Sequence, residues 1–464
     1  MFPLTRPQRQ IYDIEKYYRG TIGQLCGGIL LDRLIPEDTL ADAADRLRQI
    51  NDALRLRIVE TGEGPMQEAV PYAPERPEVQ RFSSRKELEA WAAAWTREPL
   101  DAEGVRCEMR LAYLPDRCGI LVKFDHMLGD EWSYLLMASQ TCALLRGEEP
   151  ESGSYLDAAA SEEAYFRGTR PEQDRAYVLE QFRRRDEPLL LSSRPDGAAE
   201  NARLSYSFDA AEAARIRGRA AEWGLSPFIL FLTAFAVSVS RVRMNAEQFY
   251  LGTEARNRRS AAEKRTAGMF ANTAALPVTL DNGRSFRENA ALMRVSVTGM
   301  LRHQRFNYQQ AKQVIRQEFG FEEKLFDTVV SYQTGMVQGA EGAETLWATG
   351  GAQSEALFLR IADHDDQGTF QLYYDYQTAK FTPEEIAALH ERFCRILFDG
   401  IAHGEKRLPE LALLSEAEKR TLARFNDTAA DYDGEAGVHT LFERQAARQP
   451  SAPALTDRDG TLTY

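Results

Sequence analysis

The sequence has little cysteine, little histidine and no long apolar run, and each shortage excludes a class of protein. Five cysteines in 464 residues, with no CxxC pair among them, argue against a disulfide framework and against a zinc cage. A chain of this kind is expected in the reducing cytoplasm. The longest uncharged stretch, residues 224–240, contains Pro227 and is shorter than the ~20 apolar residues that cross a bilayer. It predicts a buried helix, and no secretory signal is recognisable at the start.

Positive charge is also scarce. The chain has 57 Lys and Arg against 70 Asp and Glu, a formal net charge of −13, so neither nucleic acid nor an anionic membrane surface is an expected partner. The usual signatures of nucleotide, metal and serine-nucleophile chemistry are missing as well: Walker A, GxGxxG, HExxH and GxSxG. With 44% apolar and 27% charged residues the composition is that of a globular protein, long enough for about three folding units.

Two blocks of mixed helix and strand signals follow one another along the chain. In the first block, apolar residues at helical spacing predict a helix over 36–51, and a Pro-Asp-Arg turn between two apolar runs predicts a hairpin of strands 105–114 and 119–125. A further apolar helix is predicted over 134–145. A charged junction with one helix over 171–185 separates this block from the second. The second block is predicted to contain strands 204–208, 248–255, 326–333 and 370–377 and helices 210–223, 224–240 and 383–399.

Only one of the six histidines has a context that indicates function. His126 ends an apolar strand and enters a turn, and functional side chains concentrate at such strand ends. Asp130 follows four positions later, a spacing that by itself favours a structural role. A metal site formed by His126 with Asp125 or Asp130 is not expected, because no second histidine is nearby. The residues alone therefore indicate an α/β protein with one candidate histidine.

The stretch DHMLGDEWS, residues 125–133, resembles the HHxxxDG active-site motif of the condensation domains of nonribosomal peptide synthetases. Other motifs of that family have similar segments here, in the expected order. These are FPLTRPQRQIYDIEKYY (2–18), NDALRLRI (51–58), the stretch ending GMFANT (252–273), RHQRFNY (302–308) and FDTVVSYQ (326–333). Residues 439–464 resemble the first strand region of an adenylation domain, without its phosphate-binding loop or active site.

The resemblance implies a fold like that of chloramphenicol acetyltransferase: an α/β, two-lobed, V-shaped pseudo-dimer in which each lobe is an open mixed sheet with helices. The expected organisation is an N-terminal lobe over residues 1–170, a C-terminal lobe over 171–408, a linker over 409–436 and the truncated start of an adenylation domain over 437–464. The active-site motif is expected at the middle of a tunnel between the lobes.

The activity implied is that of an acyltransferase which forms an amide. The α-amine of an aminoacyl thioester on an acceptor carrier protein attacks the thioester of a donor, which is acyl-CoA or an acylated carrier protein. The resemblance implies no cofactor bound by the chain itself, because the substrates arrive on phosphopantetheine or as acyl-CoA. The other expected partner is the rest of the synthetase module, including its adenylation domain, and the domain is expected to be a monomer. The basic run 183–185 is one candidate for carrier docking, although a solvated helix face has the same composition.

The family pattern assigns catalytic positions to His126 and Asp130. His126 is expected to hold the amine in line and to take part of its proton, while Asp130 is expected to support the site through an ion pair with Arg258. Asn272 is expected in the loop that crosses between the lobes, and His303 is expected to be structural. The predicted active-site support comprises Asp125, Gly129, Glu131, Trp132, Ser133, Arg258 and Asn272.

Two positions depart from the family motif. Asp125 stands where the family has its first histidine, and Glu131 stands where it has glycine. Asp125 would raise the pKa of His126 if it faced it, or would pair elsewhere. Three functions stay open: a starter domain that N-acylates the first residue of a lipopeptide, an internal domain with a peptidyl donor, and, because of these two changes, a degenerate domain that binds carriers or partners. The opening FPLTRPQ resembles starter domains, which favours the first function.

Overall fold

A computed structural model describes the chain except for residues 19, 63, 184–189, 196, 198, 335–342, 349, 364–367, 432–436 and 459. The described residues form two compact units, Met1–Leu413 and Leu414–Tyr464. The larger unit thus extends five residues beyond the predicted end of the C-terminal lobe at 408. Two residues of the basic run considered for carrier docking, 184 and 185, lie outside the described residues.

The N-terminal half of the larger unit alternates helices and strands. Its elements are β1 (Phe2–Pro3), α1 (Arg6–Tyr18), β2 (Gln24–Leu31), α2 (Glu37–Ile50), β3 (Leu56–Thr61), β4 (Gly64–Ala69), β5 (Glu78–Arg81), α3 (Arg85–Thr96), β6 (Cys107–Tyr113), β7 (Cys118–Asp125), α4 (Glu131–Leu145), α5 (Tyr155–Phe166) and α6 (Arg170–Arg183).

The C-terminal half of that unit has the same mixed character. Its elements are β8 (Asn201–Phe208), α7 (Ala210–Glu222), α8 (Pro227–Val242), β9 (Gln248–Ala255), α9 (Ala261–Lys264), β10 (Asn272–Thr279), α10 (Phe286–Arg302), α11 (Tyr308–Phe319), β11 (Thr328–Thr334), β12 (Ala343–Ala348), β13 (Leu357–Asp363), β14 (Phe370–Gln377) and α12 (Pro383–Ala402). The smaller unit contains α13 (Glu416–Asn426), α14 (Val438–Arg448), β15 (Pro453–Thr456) and β16 (Thr461–Thr463).

The N-terminal lobe is organised by a five-stranded mixed sheet with the order β12-β2-β7-β6-β5. The predicted hairpin is present as the antiparallel pair β6 and β7, and β7 also pairs with β2, so that Gln24 lies opposite Asp125. Every residue of β7 is buried. Because β7 is central and fully packed, it holds the turn that follows Asp125 at a fixed position.

The C-terminal lobe is organised by a six-stranded mixed sheet with the order β10-β9-β11-β13-β14-β8. Strand β11 runs parallel to β9 and β13, and the other neighbours are antiparallel. Helix α8, formed by the apolar stretch predicted over 224–240, packs against α10 and α12 in this lobe's core. The lobe thus supplies the second of the two predicted sheets.

One strand connects the lobes directly. β12 follows β11 in sequence, yet it pairs antiparallel with β2 of the N-terminal sheet, with Leu346 opposite Gly28. Leu346 is 2% exposed and belongs to an apolar cluster of the N-terminal lobe. A segment of the C-terminal half is therefore part of the N-terminal core.

No single helix in the described part of the chain is long and apolar enough to cross a membrane. Helices α7 and α8 reach that length and composition only as a pair, and they are bent by 101° relative to each other.

The prediction for Asn272 was wrong in its placement. Asn272 is the first residue of β10, is buried, and donates through Nδ2 to the carbonyl oxygen of Gln304 at 2.9 Å. The segment that approaches the other lobe is the preceding one, residues 265–271. The sequence misplaces Asn272 because a strand that begins Asn-Thr after a glycine-containing segment carries no clear start signal.

Candidate active site

The turn that carries His126 is held on both sides. Residues His126–Leu128 form a single 3₁₀ turn after β7, and the Asp125 carboxylate caps it by accepting the Met127 N–H at 2.9 Å. The backbone N–H of His126 donates to the carbonyl oxygen of Gly23 at 2.7 Å. The imidazole is thus fixed at the end of a rigid strand, where it lines a large cavity.

The orientation of the imidazole determines which nitrogen is free for chemistry. Nδ1 of His126 lies 2.8 Å from the carbonyl oxygen of Gly129. A carbonyl oxygen only accepts hydrogen bonds, so Nδ1 carries the hydrogen. In the neutral ring Nε2 then keeps its lone pair and can accept a proton from a group in the cavity. Gly129, predicted as a supporting residue, contributes through its backbone.

Asp130 is saturated with donors. Its two oxygens accept from Arg258 Nη1 and Nη2 at 2.6 and 2.9 Å, and from the Ser133 N–H and hydroxyl at 3.0 and 2.9 Å. The N–H groups of Phe270 and Ala271 each donate at 3.1 Å. Burial opposes ionisation, but these donors hold the pKa of the Asp130 carboxyl below its usual range. The ion pair expected between Asp130 and Arg258 is present, and it joins residues of the two lobes.

Ser133 completes this inter-lobe network. Its hydroxyl oxygen accepts the Gly268 N–H at 3.0 Å, and its one hydrogen is shared between Asp130 and the carbonyl oxygen of Gly268, which lies 3.0 Å away. Gly268 has φ 154°, and a Cβ there would lie 2.0 Å from the Tyr155 ring. Only glycine fits this close approach of backbone to ring, so residues 265–271 can lie directly over the start of α4. Asp130 and Ser133 form a capping box on that helix, which begins three residues earlier than predicted.

Asp125 does not pair with the imidazole. Its second oxygen lies 2.7 Å from Arg106 Nη1, and the side chain is 5% exposed. The sequence left two arrangements open for Asp125, facing His126 or pairing with another residue. The structure has the second, with Arg106 as the partner. Asp125 is the last residue of β7 and caps the turn that begins at His126, so the two side chains have different partners.

Glu131 and Trp132 lie at the first turn of α4 and line the cavity. Trp132 Nε1 donates to the carbonyl oxygen of Lys264 at 2.9 Å, and the Arg256 guanidinium lies 5.0 Å from the Trp132 ring centre. Glu131 takes the place of the motif glycine without displacing the helix, since an acidic residue in a first turn is favourable there. Its carboxylate adds a charge to the cavity wall.

The main cavity has a volume of about 560 Å³ and is lined by both lobes. On the N-terminal side it meets α1, β2 and His126, and on the C-terminal side it meets β9, β11, β13 and β14. This C-terminal wall is rich in charge: Asp375 lies 2.6 Å from Arg203 and 3.2 Å from Arg360. Burial, followed by the charges of nearby carboxylates, raises the pKa of Glu254 to about 7, although Arg360 opposes the shift.

Sequence reasoning missed the charged residues of this wall. Glu254 and Arg256 end the otherwise apolar stretch QFYLGTEAR, two positions apart and hence on one face of a strand. Charges at alternate positions at the end of a buried strand were the available signal. Arg203, Arg360 and Asp375 come together only through the pairing of β8, β13 and β14.

His303 lies away from the main cavity. Its Nδ1 is 2.6 Å from Asp174 Oδ1, and its ring stacks on Tyr177 with centroids 4.2 Å apart. It lines a separate small cavity beside Tyr250 and Phe306. Among the described residues no group of His, Cys, Asp and Glu is arranged to hold a metal ion, and all five cysteines are free.

Solved structures similar to this chain share its two-lobed architecture. One is a variant of the starter condensation domain of rhizomide synthetase in complex with C8-CoA and Leu-SNAC, with a TM-score of 0.77 and 21% identity, covering 89% of this chain and 97% of that one. Another is the first condensation domain of the calcium-dependent antibiotic synthetase with a substrate analogue, at 0.77 and 20%, covering 89% and 99%. The fold is therefore the predicted one, that of chloramphenicol acetyltransferase.

A family model for the condensation domain matches residues 1–423, and the chain belongs to this family. Surfactin synthase subunit 1 of Bacillus subtilis is 27% identical over 496 aligned positions, which cover all of this chain and 14% of the relative. A plipastatin synthase of the same organism is 27% identical over 490 positions, covering all of this chain and 19% of the relative. The chain thus spans a small part of the length of the curated relatives, and the predicted membership among peptide synthetase condensation domains is confirmed.

Proposed function

We propose that the chain forms an amide bond between a donor acyl thioester and the α-amine of an aminoacyl group on a carrier protein. The observation that carries this proposal is the hydrogen bond from His126 Nδ1 to Gly129. It leaves Nε2 as an acceptor at the rim of a cavity that both lobes line. An amine held against Nε2 would keep its lone pair directed at a thioester carbonyl in the same cavity.

The chemistry then needs few groups. The amine nitrogen attacks the thioester carbon, the carbon–sulfur bond breaks, and the nitrogen loses a proton that Nε2 of His126 accepts and the departing thiolate takes up. Proton transfer of this kind contributes roughly 10²–10⁴-fold to a rate, and alignment of two tethered reactants contributes as much or more. Asp130 has no free lone pair for this reaction. Its role is to fix the position of the His126 turn and to join the two lobes.

The donor proposed is a fatty acyl thioester, as in starter domains. Support comes from the similarity to a starter domain solved with C8-CoA. Residues 437–464 are proposed to begin an adenylation domain, and carrier proteins are the proposed partners on either side of the cavity.

An internal condensation domain with a peptidyl donor is the second candidate. The charged C-terminal wall of the cavity, with Glu254, Arg360 and Asp375, favours it. A long alkyl chain against these groups would remove them from water without replacing their hydrogen bonds. A peptide, with its own donors and acceptors, would replace them.

The test is a single-turnover assay read by intact-protein mass spectrometry. An aminoacyl carrier protein is combined with a panel of acyl-CoA donors and, separately, with a peptidyl carrier protein. His126→Ala is expected to lose about 10²–10⁴-fold in rate. His403→Ala is the matched control, because His403 is exposed at the end of α12 and bonds to Asp399. If only acyl-CoA donors give product, the chain is a starter domain. If only the peptidyl donor gives product, it is an internal domain. If no donor gives product, it is a binding module.

A further inference from the structure

The turn that carries His126 lies against a group of two carboxyls and one arginine that the mechanism above leaves unused. Arg106 Nη1 is 2.7 Å from Asp125 Oδ2 and 3.5 Å from Glu15 Oε2. The side chains of Arg106, Asp125 and Glu15 are 17%, 5% and 18% exposed. A single guanidinium thus faces two carboxyls in a mostly buried place.

Glu15 reaches both segments that hold the histidine turn. A Cβ placed on Gly23 would lie 1.8 Å from Glu15 Oε1, so the carboxyl packs directly on the Gly23 backbone. The carbonyl oxygen of Gly23 accepts the His126 N–H. Asp125, the other neighbour of Glu15, caps the same turn through the Met127 N–H. Glu15 is therefore adjacent to each of the two backbone contacts that fix His126.

The charges of this group do not balance if both acids ionise. One guanidinium neutralises one carboxylate, and Asp125 has the shorter contact with it. Burial, and then the charge of Asp125, raise the pKa of Glu15 to about 8, while Arg106 opposes the shift. The neighbouring polar groups of α1 and β3 pair among themselves, because Lys16 and Tyr12 of α1 both contact Glu60 of β3. At neutral pH Glu15 accordingly carries a proton that it can donate to Asp125.

We propose that Glu15, in its protonated form and hydrogen-bonded to Asp125, is a positioning residue for His126. When Glu15 loses its proton, two carboxylates face each other beside one arginine. Their repulsion is relieved by moving Asp125, which withdraws the cap from the Met127 N–H and loosens the His126 turn. This rests on the proposed function only for the role of His126. The arrangement makes the position of the His126 imidazole depend on whether Glu15 carries its proton.

The first test compares single-turnover rates from about pH 6 to about pH 10. The wild-type rate is expected to fall on the alkaline side with a midpoint near the Glu15 pKa of about 8. Glu15→Gln, which keeps a neutral donor, is expected to match the wild type at pH 7 and to lack this fall. Glu15→Ala is expected to be slower by about 10²-fold at every pH, because the histidine is displaced.

Glu162→Gln is the matched control. Burial raises the pKa of Glu162 to about 7, yet its contacts are with Arg6, away from the His126 turn. This variant is expected to keep the alkaline fall of the wild type. An alkaline fall that persists in Glu15→Gln, or that disappears equally in Glu162→Gln, would overturn the proposal.

A second measurement does not need catalysis. Proton–nitrogen NMR of the His126 ring reports the Nδ1–H tautomer. The wild type is expected to lose this signature between pH 7 and pH 9, and Glu15→Gln is expected to keep it at both values. If no donor gives product but the tautomer follows this pattern, the proposed function fails and the positioning role stands. A ring spectrum that is independent of Glu15 at both pH values contradicts the positioning role.

Discussion

At the scale of single residues, the contact with the largest consequences is the buried ion pair of Asp130 and Arg258. Both side chains are nearly inaccessible, 3% and 2% exposed, and Asp130 has six donors around it. Removing Arg258 leaves a carboxylate without its counter-charge, and its remaining donors compensate only in part. Arg258→Met is therefore expected to destabilise the larger unit by about 3–5 kcal/mol.

Urea unfolding at pH 7 measures this effect. Arg284→Met is the matched control, because the Arg284–Asp281 pair is about half exposed on both sides and such pairs contribute ~0–1 kcal/mol. The double variant Asp130→Asn, Arg258→Met is expected to cost less than the sum of the two single changes, since neither then leaves an isolated charge. Additive costs would contradict a direct interaction between the two side chains.

Glu254 gives a prediction for pH dependence. In the unfolded chain its carboxyl ionises with an ordinary pKa of about 4.3, whereas burial in the cavity wall raises its pKa to about 7 in the folded protein. The folded state therefore holds this proton more tightly, and its contribution to stability, complete below pH 4, is lost as the pH rises toward 7. Glu254→Gln removes the effect.

The expected result is that the melting temperature of Glu254→Gln, relative to the wild type, increases between pH 5 and pH 8. Scanning calorimetry at the two pH values measures it. Glu222→Gln is a suitable control, because Glu222 is an exposed residue at the end of α7. A difference that stays constant with pH would show that Glu254 is not shifted.

At the scale of secondary-structure elements, β12 is the segment on which the N-terminal lobe depends although it belongs to the C-terminal half. Leu346 is 2% exposed and packs with Cys26, Trp95 and Leu121 of the N-terminal lobe. Leu346→Ala is expected to cost about 2–5 kcal/mol from lost burial and the cavity left behind. The measurement is thermal unfolding, with Val295→Ala as control because Val295 is 66% exposed on α10. An equally small effect of both changes would mean that β12 is not part of that core.

The elements differ in how well the sequence predicts them, and the reason is the range of the interactions. Helix α2 and the hairpin of β6 and β7 were predicted because their patterns are local: a helical period in one case, and two apolar runs joined by a turn in the other. Strand β12 was not, since its six residues carry no clear alternation and its partner β2 lies more than 300 residues earlier.

The candidate site shows the same division. The Asp130–Arg258 pair was predicted because a family motif marks both positions. The partners of Asp125 were not, because Arg106 and Glu15 carry no motif and meet it only after β7 and α1 have packed. The charges of the cavity wall likewise depend on strand order, which local patterns do not contain.

At the scale of the whole molecule, the boundary of the larger unit has an energetic cause. Leu408 and Leu411 are 1% and 4% exposed within the core of the C-terminal lobe. The Ala412 N–H donates to Asp399 at 2.8 Å, and Arg395 donates to the carbonyl oxygen of Leu413 at 3.1 Å. The chain from 408 to 413 is therefore packed and hydrogen-bonded as part of the lobe.

Two shortened chains distinguish this boundary from one at 408. A chain that ends at Leu413 is expected to keep the melting temperature of the full chain, because helices α13 and α14 bury none of their own residues. A chain that ends at Arg407 loses both leucines and the two hydrogen bonds, and is expected to be less stable by at least about 2–5 kcal/mol. Thermal unfolding of both chains beside the full length measures the difference. Equal melting temperatures for all three would place the end of the folded lobe before Leu408, and a loss on cutting at Leu413 would show that the smaller unit stabilises the larger one.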